Sequence, residues 1–118
     1  MDSEKFVSII REVVRNIAIE DTMDNIKDPP GRKVPESELI RSNWFNALSD
    51  IDQDTVKSIV EDAVDEAIFG ILSVLDGTRA IEEGDDKGTL VLVHEDKSKV
   101  VLNDPDAIGL HDLYNAAE

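Results

Sequence analysis

The chain has 118 residues, of which 27 are Asp or Glu and 12 are Lys or Arg, for a formal net charge of −15. A field of that sign repels nucleic acid and anionic membrane and attracts basic partners, which sets aside direct nucleic-acid binding. With no cysteine, disulfides, thiolate catalysis and cysteine-based zinc sites are excluded.

The first residues, Met1-Asp2-Ser3-Glu4-Lys5, lack the basic start, apolar run and small-residue cleavage site of a signal peptide. No apolar run reaches bilayer-spanning length. The expectation is a soluble, cytoplasmic, single domain over residues 1–118, with 41% apolar residues to supply one core. Residues 3–26 read as an amphipathic helix capped by Ser3, with Phe6, Ile10, Val13, Val14 and Ile17 on its inner face. Asp28-Pro29-Pro30-Gly31 stops it, because proline lacks an amide donor and restricts the residue before it.

A short second helix follows Pro35, with Leu39, Ile40, Trp44, Phe45 and Leu48 at helical spacing and both aromatics expected in the core. The third helix is capped by Asp52 or Asp54 and runs from Val56 to Leu75, where Asp76-Gly77 ends it. Its last two turns, Ala67 to Leu75, are apolar nearly all round and should be buried on every side, with Ile71 and Leu72 at the centre.

The period then changes to two. Thr89 to His94 and Lys99 to Leu102 read as an antiparallel hairpin, with Thr78 to Ile81 as a possible third strand. A last helix is expected from Asp104, its cap, and Pro105, through Leu110, Leu113 and Tyr114. The resulting fold is α+β and mostly helical: three N-terminal helices, a two- or three-stranded antiparallel sheet and a C-terminal helix.

The surplus charge is uneven: residues 1–59 hold twelve acids and eight bases, residues 60–118 fifteen and four. Glu61, Asp62, Asp65 and Glu66 set like charges four apart twice on the third helix, each pair costing about 0.2–0.5 kcal/mol. Glu82, Glu83, Asp85 and Asp86 add four carboxylates before the hairpin. These eight residues are the candidate partner-binding set, since complementary charge speeds association and fixes orientation. The alternative is a solvated face that serves only solubility.

Asp50, Asp52, Asp54 and Glu61 match positions one, three, five and twelve of an EF-hand loop. Thr55 stands where that loop needs glycine, however, and Val56 onward already follows the helical period. The acids are read as helix-start charges, and no metal or cofactor is assigned. The only histidines are His94 and His111. His111 neighbours Asp112, but adjacent helical residues diverge by about 100°, so no dyad is assigned and His111 is expected to bond a backbone carbonyl. Neither a nucleophile elbow nor a P-loop, a zinc-protease motif or a dinucleotide fingerprint is present, so no enzyme is expected.

Four segments together carry a resemblance: Asp28-Pro29-Pro30-Gly31-Arg32, Ser42-Asn43-Trp44-Phe45, Phe69 through Gly77, and Leu102-Asn103-Asp104 through Leu110 to Tyr114. The chain resembles a group of short, acidic, uncharacterised bacterial proteins, and this implies no catalytic or ligand residues. In size and charge it is also similar to the immunity proteins of bacterial toxin systems. That similarity implies a non-enzymatic inhibitor of a basic toxin or nuclease. The alternatives are a structural or oligomeric protein with a symmetric apolar interface, and a metal- or carboxylate-dependent enzyme with His94 or His111 among acids.

Overall fold

The computed structural model describes residues 1–85 and 88–116. In chain order the elements are α1 (Ser3–Ile9), a π-helical turn (Ile10–Arg15), α2 (Asn16–Lys27), α3 (Glu36–Asn46), α4 (Asp50–Leu75), β1 (Val93–Glu95), β2 (Lys99–Val101) and α5 (Leu110–Ala116). The fold is α+β and mostly helical, with a two-stranded antiparallel sheet and a C-terminal helix. The part before the sheet has more helical segments than the three expected, because the π turn interrupts the first. Two compact units result, one of Arg15–Asp65 and one of Met1–Val14 with Glu66–Glu118.

Asp2, not Ser3, caps α1, its carboxylate accepting the Lys5 N–H at 2.8 Å. Hydrogen bonds that span five residues put more residues in each turn, so side chains in and after the π turn lag behind the α-helical period. Val13, Val14 and Ile17 consequently leave the inner face and are exposed. Val7 before the turn, and Ile19, Met23 and Ile26 after it, are the buried positions instead.

Within Arg15–Asp65, the core joins Ile19, Met23 and Ile26 of α2 to Phe45 of α3, covered by half-buried Leu48, Val56, Val60 and Val64. The last carbonyl of α2, on Lys27, would lack an intrahelical donor. Ser42 Oγ and Asn46 Nδ2 of α3 both donate to it at 2.9 Å. Ser49 caps α4, accepting the Asp52 N–H on its Oγ at 3.2 Å, so neither Asp52 nor Asp54 is the cap. Asp50 and Asp52 sit instead in the first turn, where negative charge favours the helix dipole. Of the two adjacent aromatics only Phe45 is interior. Trp44 points elsewhere on the helix and is 54% exposed.

Within the other unit, Val7 of α1, Ile68 and Leu72 of α4, Leu102, and Leu110 and Tyr114 of α5 are buried. The Arg11 guanidinium lies 4.4 Å above the Tyr114 ring and donates to the Tyr114 carbonyl at 2.5 Å, joining the π turn to α5. The end of α4 is two-faced and not buried all round: Leu72 is 2% exposed, Ile71 56%. Gly77, at φ 78°, takes the left-handed conformation that ends the helix.

Residues 78–81 form no strand, and the hairpin is shorter than expected. Its register is Val93↔Val101, His94↔Val100 and Glu95↔Lys99. Two strands alone are marginal in water, and here the buried Asn103 side chain prolongs their pairing past the end of β2. Its Oδ1 accepts the Leu92 N–H at 2.8 Å, and its Nδ2 donates to the carbonyls of Leu90 at 2.8 Å and Leu75 at 2.6 Å. Asp104 does not start a helix. Its Oδ1 accepts the Asp106 N–H and its carbonyl the Ala107 N–H, which makes a local turn. Helix α5 begins only at Leu110.

Leu72→Ala should lower unfolding free energy in urea by about 2–5 kcal/mol, whereas Ile71→Ala should stay within about 1 kcal/mol. Asn103→Ala should cost about 2–4 kcal/mol, because it strands backbone groups of three residues. Amide exchange at Leu92 should accelerate with it.

Candidate protein-binding face

The acidic row of α4 is split by its surroundings. Arg15, on the π turn, donates from Nε to Asp65 Oδ1 at 2.7 Å and from Nη2 to Asp65 Oδ2 at 3.3 Å. Its Nη2 also lies 3.8 Å from Glu61 Oε2. One of the two like-charge pairs is therefore bridged by a guanidinium fifty residues distant in sequence. Glu61 and Asp65 are part-buried structural groups, and only Asp62 and Glu66 remain exposed. Nothing in the local sequence around residues 61–66 announces Arg15, since its spacing to them is set by tertiary packing.

Glu82 and Glu83 and Asp85 are exposed in the irregular segment after α4. Glu82 Oε2 accepts the Gly88 N–H at 3.3 Å. Asp86 lies outside the described residues. Glu61, Asp62 and Asp65 belong to the Arg15–Asp65 unit, while Glu66 and the later acids belong to the other. What the structure brings together among the described members of the set is thus Glu61 and Asp65, around Arg15.

The EF-hand-like acids do not form a loop. Asp50, Asp52, Asp54 and Glu61 all lie on the continuous helix α4, and Glu61 is engaged by Arg15. Among the described residues no three His, Asp or Glu side chains gather as a cation site.

His111 departs from expectation. Its ring Nδ1 meets Asp76 Oδ2, not a backbone carbonyl, and the same oxygen accepts the His111 backbone N–H at 2.9 Å. Asp76, from the end of α4, thereby caps α5. With the ring turned by that contact, Nε2 comes within 3.4 Å of Asp112 Oδ1, although the two Cβ directions diverge. The Phe69 ring packs edge-on at 5.6 Å. Both ring nitrogens face carboxylates. His94 sits on β1 opposite Val100.

The feature that sequence reasoning missed is apolar. On α3, Ile40 and Trp44 are one helical turn apart and are 61% and 54% exposed. On α4, Ile51 and Ile59 are exposed beside Asp52 and Asp62. Each of the two helices thus leaves large apolar side chains in water. The aromatic doublet was the only available signal, and two adjacent helical residues cannot both face one core.

No protein-family model, curated protein or solved structure matches the chain. Its surface chemistry must then carry the functional argument. Among the described residues no helix is long and apolar enough to cross a membrane.

The Arg15–Asp65 bridge is partly exposed, with side-chain exposures of 21% and 37%. A double-mutant cycle with Arg15→Met and Asp65→Asn should give a coupling of about 0.5–1 kcal/mol, smaller in molar salt. A coupling indistinguishable from zero at low salt would remove the bridge from the stability of this unit.

Proposed function

We propose that this chain is a non-enzymatic, acidic protein-binding module for a basic protein, acting as an immunity-type inhibitor of a toxin or nuclease domain. The observation that carries the reading is Trp44, half exposed beside Ile40 on a helix whose other aromatic, Phe45, is fully buried. Tryptophan on a rigid helix is the side chain that most often dominates a protein interface, because it gives up large apolar area at small entropic loss. The net charge of −15 adds long-range attraction for a basic surface and rejects acidic competitors. Exposed Asp62 and Glu66, and the carboxylates after α4, supply that field from the second half of the chain. The immunity assignment adds the small size, the acidity and the resemblance to short bacterial proteins, with a cytoplasmic site of action. The flanking of both His111 nitrogens by carboxylates favours a structural histidine over a catalytic one.

The oligomeric reading draws on a separate observation: Val13, Val14 and Ile17 of the first helical stretch are exposed. The two are separated by solution behaviour. Under the binding-module reading the purified chain sediments as a monomer, and a partner retained by the immobilised chain and then purified is strongly basic. Trp44→Ala should weaken that purified complex by at least about tenfold, mainly through faster dissociation. Reversal of Asp62 and Glu66 to lysine should slow association, more at low salt than at high. A stable dimer broken by Val14→Lys, with no basic partner and no effect of Trp44→Ala, would establish the oligomeric reading instead.

A further inference from the structure

The hairpin has two outer edges, and they differ. Strand β2 opens on Lys99, just after Lys97, and a lysine on an edge discourages a further strand because its charge would lose water. The other edge is formed by β1 and the residues that lead into it, Thr89-Leu90-Val91-Leu92-Val93. That stretch holds no charge and no proline, and every residue in it is β-branched or apolar.

The hydrogen bonds show which way it faces. The Leu90 carbonyl accepts from Asn103 Nδ2, the Leu92 N–H donates to Asn103 Oδ1, and the Leu92 carbonyl accepts the Leu102 N–H. Leu90 and Leu92 thus turn their polar groups inward. Successive residues of an extended chain direct these groups to opposite edges, so those of Val91 and Val93 point outward. Val91 makes no backbone hydrogen bond among the described residues, and Val93↔Val101, next to the bonded pair of Leu92 and Leu102, is a pair that exchanges none. The side chains of Val91 and Val93 are 61% and 42% exposed, beside half-exposed Val101. A two-stranded sheet gains most from a third strand, and this edge has the free donors, acceptors and apolar surface to pair with one.

Charge selects the occupant. Between Arg79 and Lys97 the sequence carries six acids and one lysine, Lys87. Glu82, Glu83, Asp85 and Asp86 precede the open stretch, and Glu95 and Asp96 follow it. A second copy would bring the same acids, and a further net charge of −15, against this edge. A basic segment brings their complement. We propose that the outer edge of β1 takes one extended segment of a basic protein as a third strand, β-branched at its centre and lysine- or arginine-bearing at both ends. The inference rests on the reading of the chain as a binder of a basic protein and adds how that partner is engaged. The segment pairs its backbone with Val91 and Val93, packs alternate side chains beside theirs, and sets its cations among the flanking acids.

The test is titration of the intact, isotope-labelled chain with the capped peptide Lys-Lys-Val-Thr-Val-Thr-Val-Lys-Lys at low salt, read by NMR. Saturable shifts and slowed amide exchange are expected at Val91 and Val93, with half-saturation on the order of 1 mM. The same peptide with every central amide N-methylated keeps its charges and side chains but has no central donors on either edge. It should bind at least about tenfold more weakly, as should a peptide with glutamate in place of each lysine. Val91→Pro removes an outward amide that an edge strand can spare. Val93→Lys keeps the backbone donors and puts a positive charge on the edge. Each should weaken the lysine peptide at least about fivefold, with the Leu92 amide still protected by Asn103. Equal binding of the methylated peptide, or shifts confined to other residues, would overturn strand addition while leaving a basic partner to bind elsewhere. No saturation by about 10 mM would overturn it as well. So would a dimer that protects Val91 without peptide, since a second copy would then hold the edge. Failure of the underlying reading shows differently, as the absence of any basic partner on the immobilised chain.

Discussion

The carboxamide of Asn103 is the contact on which the sheet-bearing unit depends. It is buried, and each of its bonds goes to backbone. Bonding Leu90 and Leu92, two residues apart on one edge, it copies the pattern by which a neighbouring strand would pair. The third bond, to the Leu75 carbonyl, satisfies a group that the end of α4 leaves open. One side chain therefore extends the pairing of β2 and stands in for a missing helical turn. That extension lengthens the pairing of strands that are only three residues each. Asp76, the next residue after Leu75, does the corresponding work at α5 by accepting the His111 N–H. The end of α4 is thus tied to the hairpin by an amide and to the last helix by a carboxylate.

The other unit is organised by a different economy. Its apolar core is small, and Arg15 and Asp65, its first and last residues, are bonded to each other. Arg15 reaches that position from a π turn, a conformation with poorer hydrogen-bond geometry that tends to occur where a side chain must be re-aimed. The same turn removes Val13, Val14 and Ile17 from the inner face. Helical regularity is given up locally, and the like-charge pair Glu61 and Asp65 on α4 gains a counterion in exchange. A chain this acidic has few cations to spare, so where it places them is informative.

Much of the fold was legible from periodicity and punctuation. The prolines after Asp28, the glycine after Asp76 and the change of period after residue 88 locate the breaks between elements because each acts through local backbone chemistry. What local reading missed was long-range. Asp104 has every mark of a helix cap, yet its side chain closes a turn, because the cap of α5 comes from Asp76 thirty-five residues earlier. Ile71 and Leu72 look equivalent in an apolar run, but burial depends on which side a neighbour happens to cover. The acidic set suffered the same blindness: the charges at 61 and 65 cannot be told from those at 62 and 66 without knowing where Arg15 lies.

Separating those acids changes what the charge means. A solubilising coat would be indifferent to which carboxylates are paired and would have no reason to leave a tryptophan half in water. Burying Trp44 would have been the more stable choice by the area rule of about 25 cal/mol per Å². Its neighbour Phe45 shows that the helix had an interior position available for one aromatic and filled it. The second aromatic is exposed at a cost in free energy and solubility, on a helix that also exposes Ile40. Under the proposed reading, the acids left free serve approach and orientation, which act over a Debye length of about 8 Å at physiological salt. The apolar residues serve contact, which acts only when water is expelled. Under the proposed reading, the charge finds a basic partner and the tryptophan holds it.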